Sequence, residues 1–252
     1  MLPLSASQLL TLWERGLTQS PWQRALSLLA AALPDFTPDA LANLPLGQRD
    51  AYLLTLREDL FGPRLTSVAT CPSCGEGLEL TFDVANIRAK SLPGTDGEQA
   101  LDQTRTLSLS MDGYQVIFRL PNSLDLAELA GMRTPDRARL RLLERCLLTV
   151  KENGSARTAA NLPDAVIDAI AGRMALADPQ GDVQIALTCP NCTHQWQVVF
   201  DPISFIWIEI NAWAQRILRE VHLLACAYGW READILGLSP SRRQAYLQMV
   251  MG

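Results

Sequence analysis

Apolar residues recur at helical spacing near both ends of the chain, and at every second position in several stretches between. Trp22, Leu26, Leu29 and Leu33 fall three or four apart, the period of a helix that buries one face. Thr37-Pro38 predicts a capped helix start, and Pro45 and Gly47 cut that helix short. A second helix is predicted from about Gln48 through Tyr52, Leu53 and Leu56 to Leu60, with Gly62-Pro63 as its stop. In the last fifty residues Ile206, Ile210, Trp213, Ile217, Val221, Leu224 and Tyr228 form one apolar stripe. Ser239-Pro240 opens a final short helix ending near Val250.

The middle of the chain mixes both periods. Leu78, Leu80, Phe82 and Val84 alternate with polar residues, as do Val183, Ile185 and Leu187, and then Trp196, Val198 and Phe200; each reads as a half-buried strand. Leu107–Met111 and Tyr114–Phe118 flank Asp112-Gly113, a strong hairpin turn signal. The polar stretch from Lys90 to Arg105 holds Pro93, Gly94 and Gly97 and is expected to be a mobile loop. Leu124 to Val150 is expected to be helical, with Thr134-Pro135 as an internal cap, and Pro163 to Ala177 forms another expected helix.

One segment occurs twice. Thr70-Cys-Pro-Ser-Cys74 leads to Phe82-Asp83, and Thr188-Cys-Pro-Asn-Cys192 leads to Phe200-Asp201. Each copy reads as strand, knuckle, strand. A C-x-x-C turn at a hairpin tip offers two thiolates, and two such tips complete the tetrahedron a structural zinc requires. Cys71, Cys74, Cys189 and Cys192 are therefore the expected ligands of one Zn2+. Between the pairs lie 114 residues, against ~15–20 in a compact ribbon, so the ribbon must be split by an insertion. Gly75 follows the first knuckle and can take a positive φ; Thr193 stands there in the second, so that feature is not expected to be shared.

Other chemistries compete. A redox C-x-x-C normally opens a helix, whereas strand-like sequence follows both pairs. Two disulfides are a further possibility. His194 is either a substitute ligand or a solvated hairpin residue. His222 and Cys226, four apart on a helix, read as packing or as an isolated metal pair, and Cys146, amid leucines, as core.

Composition narrows the function classes. Hydrophobic residues make up 48% of the 252, charged residues 19%, and the formal net charge is −5, so nucleic acid is not an expected partner. No apolar stretch is long enough for a membrane helix, and no secretory signal is seen at Met1. With paired cysteines, this favours metal over disulfide and a cytoplasmic protein. No phosphate loop, dinucleotide fingerprint, nucleophile elbow or zincin motif is present, and four cysteine ligands leave zinc no open position. A non-enzymatic role is expected.

The C-terminal segment carries Trp213-Ala-Gln-Arg216, Leu218-Arg-Glu-Val-His222, Ala227-Tyr-Gly-Trp230, Ile235-Leu236 and Ser239-Pro-Ser-Arg-Arg-Gln-Ala-Tyr-Leu247. It resembles the baseplate hub assembly proteins of T-even-type contractile phages, most closely their relatives encoded with phage-like contractile injection systems. Similarity to that subgroup extends to Gly47-Gln-Arg-Asp50, Leu60-Phe-Gly-Pro-Arg64 and Leu120-Pro-Asn-Ser-Leu-Asp-Leu126. The resemblance implies an assembly factor or component of the baseplate hub, with hub, spike or tape-measure proteins as partners. Trp230, Arg242, Arg243 and Tyr246 are the candidate partner-binding residues, with Trp207 and Trp213 as further anchors or core. A zinc-ribbon adaptor or nucleic-acid-binding module, and a thiol-disulfide oxidoreductase, are the alternatives.

The expected fold is α+β: an N-terminal helical region (1–64), a split zinc ribbon (65–89 and 183–201), an inserted hairpin-plus-helices region (90–182) and a C-terminal helical region (202–252).

Overall fold

The computed structural model describes residues 1–88, 106–159 and 162–251; the loop expected over 90–105 lies outside them. Helices α1 (Ala6–Gly16), α2 (Pro21–Ala32), α3 (Pro38–Ala42) and α4 (Leu46–Phe61) lead into strands β1 (Arg64–Thr70) and β2 (Gly77–Asp83). After the one-turn helix α5 (Val84–Ile87) come β3 (Thr106–Met111), β4 (Tyr114–Arg119), α6 (Ser123–Leu129), α7 (Pro135–Cys146), β5 (Leu147–Glu152), β6 (Ser155–Ala156) and α8 (Asp164–Ala177). Strands β7 (Gln184–Thr188) and β8 (Gln195–Val199) precede α9 (Pro202–Tyr228), α10 (Glu232–Leu236) and α11 (Pro240–Met251). The fold is mixed helix and sheet, as expected. Two compact units divide it: Met1–Pro34 with Pro202–Gly252, and Asp35–Asp201. Helices α1 and α2 therefore share a unit with the C-terminal helices, and α3 and α4 belong to the other.

In the terminal unit, Ser5 caps α1 by accepting from the Gln8 N–H while the Gln8 side chain accepts from the Ser5 N–H. The long helix α9 buries Ile206, Ile210, Ala214, Ile217, Val221 and Leu224. Trp213 is only half-buried, and Ala214 takes the central place on the stripe, packing with Leu10 of α1. Tyr228, at the end of the stripe, is 39% exposed. Gly16 lies so close to the Trp207 ring that a Cβ there would sit 2.0 Å from it, and Arg24 covers the ring at 4.4 Å. Trp13 donates its indole N–H to Asn211 Oδ1 at 3.0 Å.

In the other unit, Thr37 caps α3 by accepting from the Ala40 N–H, and Gly62, at φ 86°, stops α4. The Asp112-Gly113 turn has positive φ at both residues, 50° and 81°, as a two-residue hairpin requires. Helix was expected to run to Val150, but it ends at Cys146. Leu147 to Glu152 instead form β5, pairing with β4 to build a four-stranded sheet of order β3-β4-β5-β6. Here Val150 points inward and Leu148 is 52% exposed. That period of two, with two β-branched residues, outweighs the helical leucines before it. Thr134 precedes α7 but makes no side-chain cap. Val116, Phe118, Leu143, Val150, Val166 and Ile170 form the core between sheet and helices.

Beside that core lies a buried polar network that no periodicity foretells. Asp125 is fully buried. Its carboxylate accepts from both Nη atoms of Arg119, at 2.6 and 2.8 Å, and from Nε of Arg145 at 2.8 Å. It also accepts from the Asn122 N–H at 2.9 Å, while Asn122 Oδ1 accepts from the Asp125 N–H, a capping box that starts α6. Burial pushes its pKa up, but the Arg119 bonds, the Asn122 N–H and Arg145 outweigh it and leave it lowered. Asn122 further donates to Asn43 at 3.1 Å and Leu46 N–H to Pro121 O at 3.0 Å, tying α4 to this segment. Nearby, Arg49 binds Asp50 at 2.7 Å, both buried, and the Gly47 N–H donates to Asp178 at 2.8 Å. Arg57 donates to the carbonyls of Gly62 and Arg64.

Asp125→Ala is expected to cost about 3 kcal/mol in urea unfolding, since it strands two guanidiniums and an N–H. A loss under about 0.5 kcal/mol would contradict that role. Asp50 titrates in the opposite sense. Burial raises its carboxyl from 3.8 to about 6 against the pull of Arg49, with Asp201 and Asp178 adding to the rise. A carboxyl that binds its proton more tightly folded than unfolded contributes stability below its unfolded pKa and loses it as pH rises through the folded one. From about pH 4 to about pH 7, Asp50→Asn should therefore lose less stability than the wild type, by up to about 3 kcal/mol. Parallel pH profiles would contradict this.

Candidate metal centre

Two hairpins carry the cysteines. In the first, β1 and β2 pair over Arg64↔Asp83 to Thr70↔Gly77; in the second, β7 and β8 pair over Gln184↔Val199 to Thr188↔Gln195. Each knuckle fills the turn, and the two turns are hydrogen-bonded alike. Cys71 N–H donates to Glu76 O at 2.8 Å and Gly75 N–H to Cys71 O at 3.0 Å. Cys189 N–H donates to His194 O at 2.9 Å and Thr193 N–H to Cys189 O at 3.0 Å. Gly75 has φ 76° and Thr193 φ 59°. The positive φ is thus shared after all: the turn imposes it on a β-branched residue, against that residue's preference. Thr193 Oγ1 donates to Cys192 O at 2.7 Å. The repeated phenylalanines meet each other, Phe82 edge-on to Phe200 with centroids 6.1 Å apart.

The hairpins bring all four sulfurs together. Every Sγ of Cys71, Cys74, Cys189 and Cys192 lies within 4.8 Å of the others. Cys71 meets Cys192 at 3.7 Å and Cys74 meets Cys189 at 3.6 Å, both from one hairpin to the other. A zinc tetrathiolate with ~2.3 Å bonds has tetrahedron edges of ~3.8 Å, so the arrangement is compatible with a metal ion. Cys71 and Cys189 are buried, Cys192 is half-buried and Cys74 is exposed. Burial raises the Cys71 pKa, but the N–H groups of Cys74 and Ser73 and neighbouring thiols bring it down to about 7. At Cys74 the Glu76 N–H lowers the pKa, yet Cys192, burial, Cys189 and Cys71 push it up to about 12. Four thiols in this space favour giving up protons to a cation. Four sulfurs would also close the coordination sphere and leave no position for substrate or water.

The other singled-out residues lie elsewhere. His194 is exposed and stacks on Trp196 at 6.0 Å, outside the sulfur cluster. His222 and Cys226 touch at 3.9 Å on an exposed face of α9. Cys146 is buried, and burial with the Asp125 charge pushes its thiol up to about 12.

Of the candidate partner-binding residues, only Arg242 is exposed. Arg243 was read as lying on a polar face, but it is buried and donates to Glu220 at 2.7 Å and to Leu238 O at 3.3 Å. Its place one turn before buried Leu247 is the signal that could have shown this. Trp230 and Tyr246 pack edge-to-face at 4.8 Å, Trp230 stacks on Tyr228 at 4.7 Å, and Trp230 and Tyr246 rest against Val221, Leu224, Ile235 and Leu247.

Two split hairpins close four thiols into one cluster, a ribbon-like candidate metal centre. The chain belongs to the T4 bacteriophage base plate protein family, whose model matches residues 18–207. Both knuckles and the Gly47–Asp50, Leu60–Arg64 and Leu120–Leu126 motifs lie inside that stretch, whereas most of the C-terminal segment lies beyond it. Neither the comparison with curated proteins nor that with solved structures gives a match. Among the described residues no helix is long and apolar enough to cross a membrane.

The turn geometry is testable without touching a sulfur. A Cβ at Gly75 would meet nothing within 4 Å, so Gly75→Ala acts through the backbone alone. It should lower stability by about 1 kcal/mol in thermal unfolding; an unchanged midpoint would contradict the positive φ.

Proposed function

We propose that this chain is a non-enzymatic component or assembly factor of the baseplate hub in a contractile phage tail or phage-like injection system, with one zinc ion as its structural staple. The family match over residues 18–207 carries the baseplate reading, and a baseplate protein works by assembling with other baseplate components. Hub, spike or tape-measure proteins are the partners the proposal names. The cluster of four sulfurs supports zinc, a metal that favours four thiolates in a closed site. Assembly in the cytoplasm, where thiols stay reduced, fits this chemistry.

A nucleic-acid-binding ribbon fits less well. The arginine-rich helix α7 is largely answered by acids: Arg139 pairs with Asp168, Arg141 with Glu144 and Arg145 with Asp125. That weakens the attraction of this helix for phosphate.

When bound, zinc would hold the two hairpin tips together. Cys71, Cys74, Cys189 and Cys192 would be its ligands, while the N–H groups of Ser73, Cys74 and Glu76 direct hydrogen bonds at the thiolates of the first knuckle. Protein purified without added metal should carry about one zinc per chain. Cys71→Ser and Cys189→Ser should each release it, because both knuckles share one ion; retention by either variant would contradict a shared site. Deletion of the gene should leave tail tubes without finished baseplates in electron micrographs. Normal tails from the deletion would sink the assembly role while leaving the metal site standing.

A further inference from the structure

His222 and Cys226 stand four residues apart on α9, away from the knuckles. In the sequence they read as packing or as a metal pair. Core packing is excluded, because both side chains are exposed while the buried stripe of the helix runs through Val221 and Leu224. A separation of four puts two side chains on one helix face, one turn apart. Here Cys226 Sγ lies 3.9 Å from Nδ1 and 3.9 Å from Nε2 of His222. Among the described residues neither side chain has another polar partner.

That separation is close to what a shared metal ion needs. A zinc–thiolate bond of ~2.3 Å and a zinc–imidazole bond of ~2.0 Å, set at the tetrahedral angle, hold sulfur and nitrogen ~3.6 Å apart. The exposed ring needs only a turn about its Cβ–Cγ bond to aim one nitrogen at the ion. We propose that His222 and Cys226 form a second metal site, a two-ligand chelate for Zn2+ on the surface of α9.

The donors select the class of ion. Thiolate and imidazole suit zinc, whereas calcium and magnesium take oxygen ligands. On binding, Cys226 gives its proton to solvent and its sulfur bonds the metal, while His222 binds as neutral imidazole. Helix α9 runs unbroken for 27 residues. Its backbone therefore holds the two ligands at this spacing before an ion arrives, and binding has only two side chains to order. Arg219, exposed one turn earlier, repels a cation and lowers the affinity. Two ligands fill half of a tetrahedron and leave two positions open to water. The site therefore binds more weakly than four thiolates would and exchanges its ion with solution. None of this depends on what the knuckles hold.

The test is a Zn2+ titration of the full chain, followed through the NMR signals of the histidine ring protons. A phosphine reductant keeps Cys226 a thiol. The chain has two histidines, and His194→Gln tells their signals apart. The His222 signals are expected to move with added zinc and reach a plateau. In Cys226→Ser the zinc concentration at half-saturation of those signals should rise at least about tenfold, the least that losing even an outer-shell partner of a metal costs. The melting midpoint without added zinc should stay the same, since the side chain replaced is exposed. Zinc entering the knuckles registers at His194, two residues past Cys192, so the outcome there is read apart from the outcome at His222. His222 signals that stay in place up to millimolar zinc would overturn the proposal. So would a half-saturation point that Cys226→Ser leaves unmoved.

Discussion

Four thiols must meet at one point although 114 residues separate the two that come first from the two that follow. Much else in the unit from Asp35 to Asp201 is arranged so that this meeting is cheap. Closing a loop of this length in place of the ~16 residues of a compact ribbon adds only about 2 kcal/mol of entropy for a flexible chain. The intervening chain, where described, is a sheet of four strands with covering helices and its own core. Its middle and its finish are held by other bonds too. Asp178, just before the second hairpin, accepts from the Gly47 N–H, and Asn122, in the middle, reaches Asn43. Phe82 and Phe200 then join the hairpins on their far side from the sulfurs. An ion at the knuckles would complete a closure that packing and hydrogen bonds already favour.

The buried polar network gives the motifs read in the sequence a physical meaning. Leu120–Leu126 is a capping box whose aspartate also gathers two arginines. Gly47–Asp50 is a helix start whose glycine has no room for a Cβ, with the nearest Asp178 oxygen at 1.8 Å, and whose arginine and aspartate pair in the interior. Leu60–Arg64 is a helix stop whose carbonyls receive Arg57. These residues shape the scaffold that presents the knuckles. Arg243 is buried against Glu220 and Leu238, while Trp230 is half-buried against Val221, Leu224, Ile235 and Leu247.

Much of this was legible beforehand wherever the signal is local. The knuckles, the alternation of the flanking strands, the Asp112-Gly113 turn and the Thr37 cap are each written within a few residues, and each forms. The errors arise where distant residues decide. Leu147 to Val150 extends a leucine-rich helix until β4 supplies a partner edge, and pairing then wins. Trp213 looks like the centre of the α9 stripe until α1 packs there and the small Ala214 is favoured. Thr193 looks unfit for a positive φ until the turn's hydrogen bonds impose it. Asp125 carries no periodic signal, because its two arginines come from other elements, β4 and α7.

The central claim is that the split hairpins build one four-sulfur metal site. X-ray absorption at the zinc edge, on protein purified without added metal, tests it most directly. The account predicts a single shell of four sulfur neighbours at ~2.3 Å. A shell containing nitrogen or oxygen ligands, or two to three sulfurs, would contradict it.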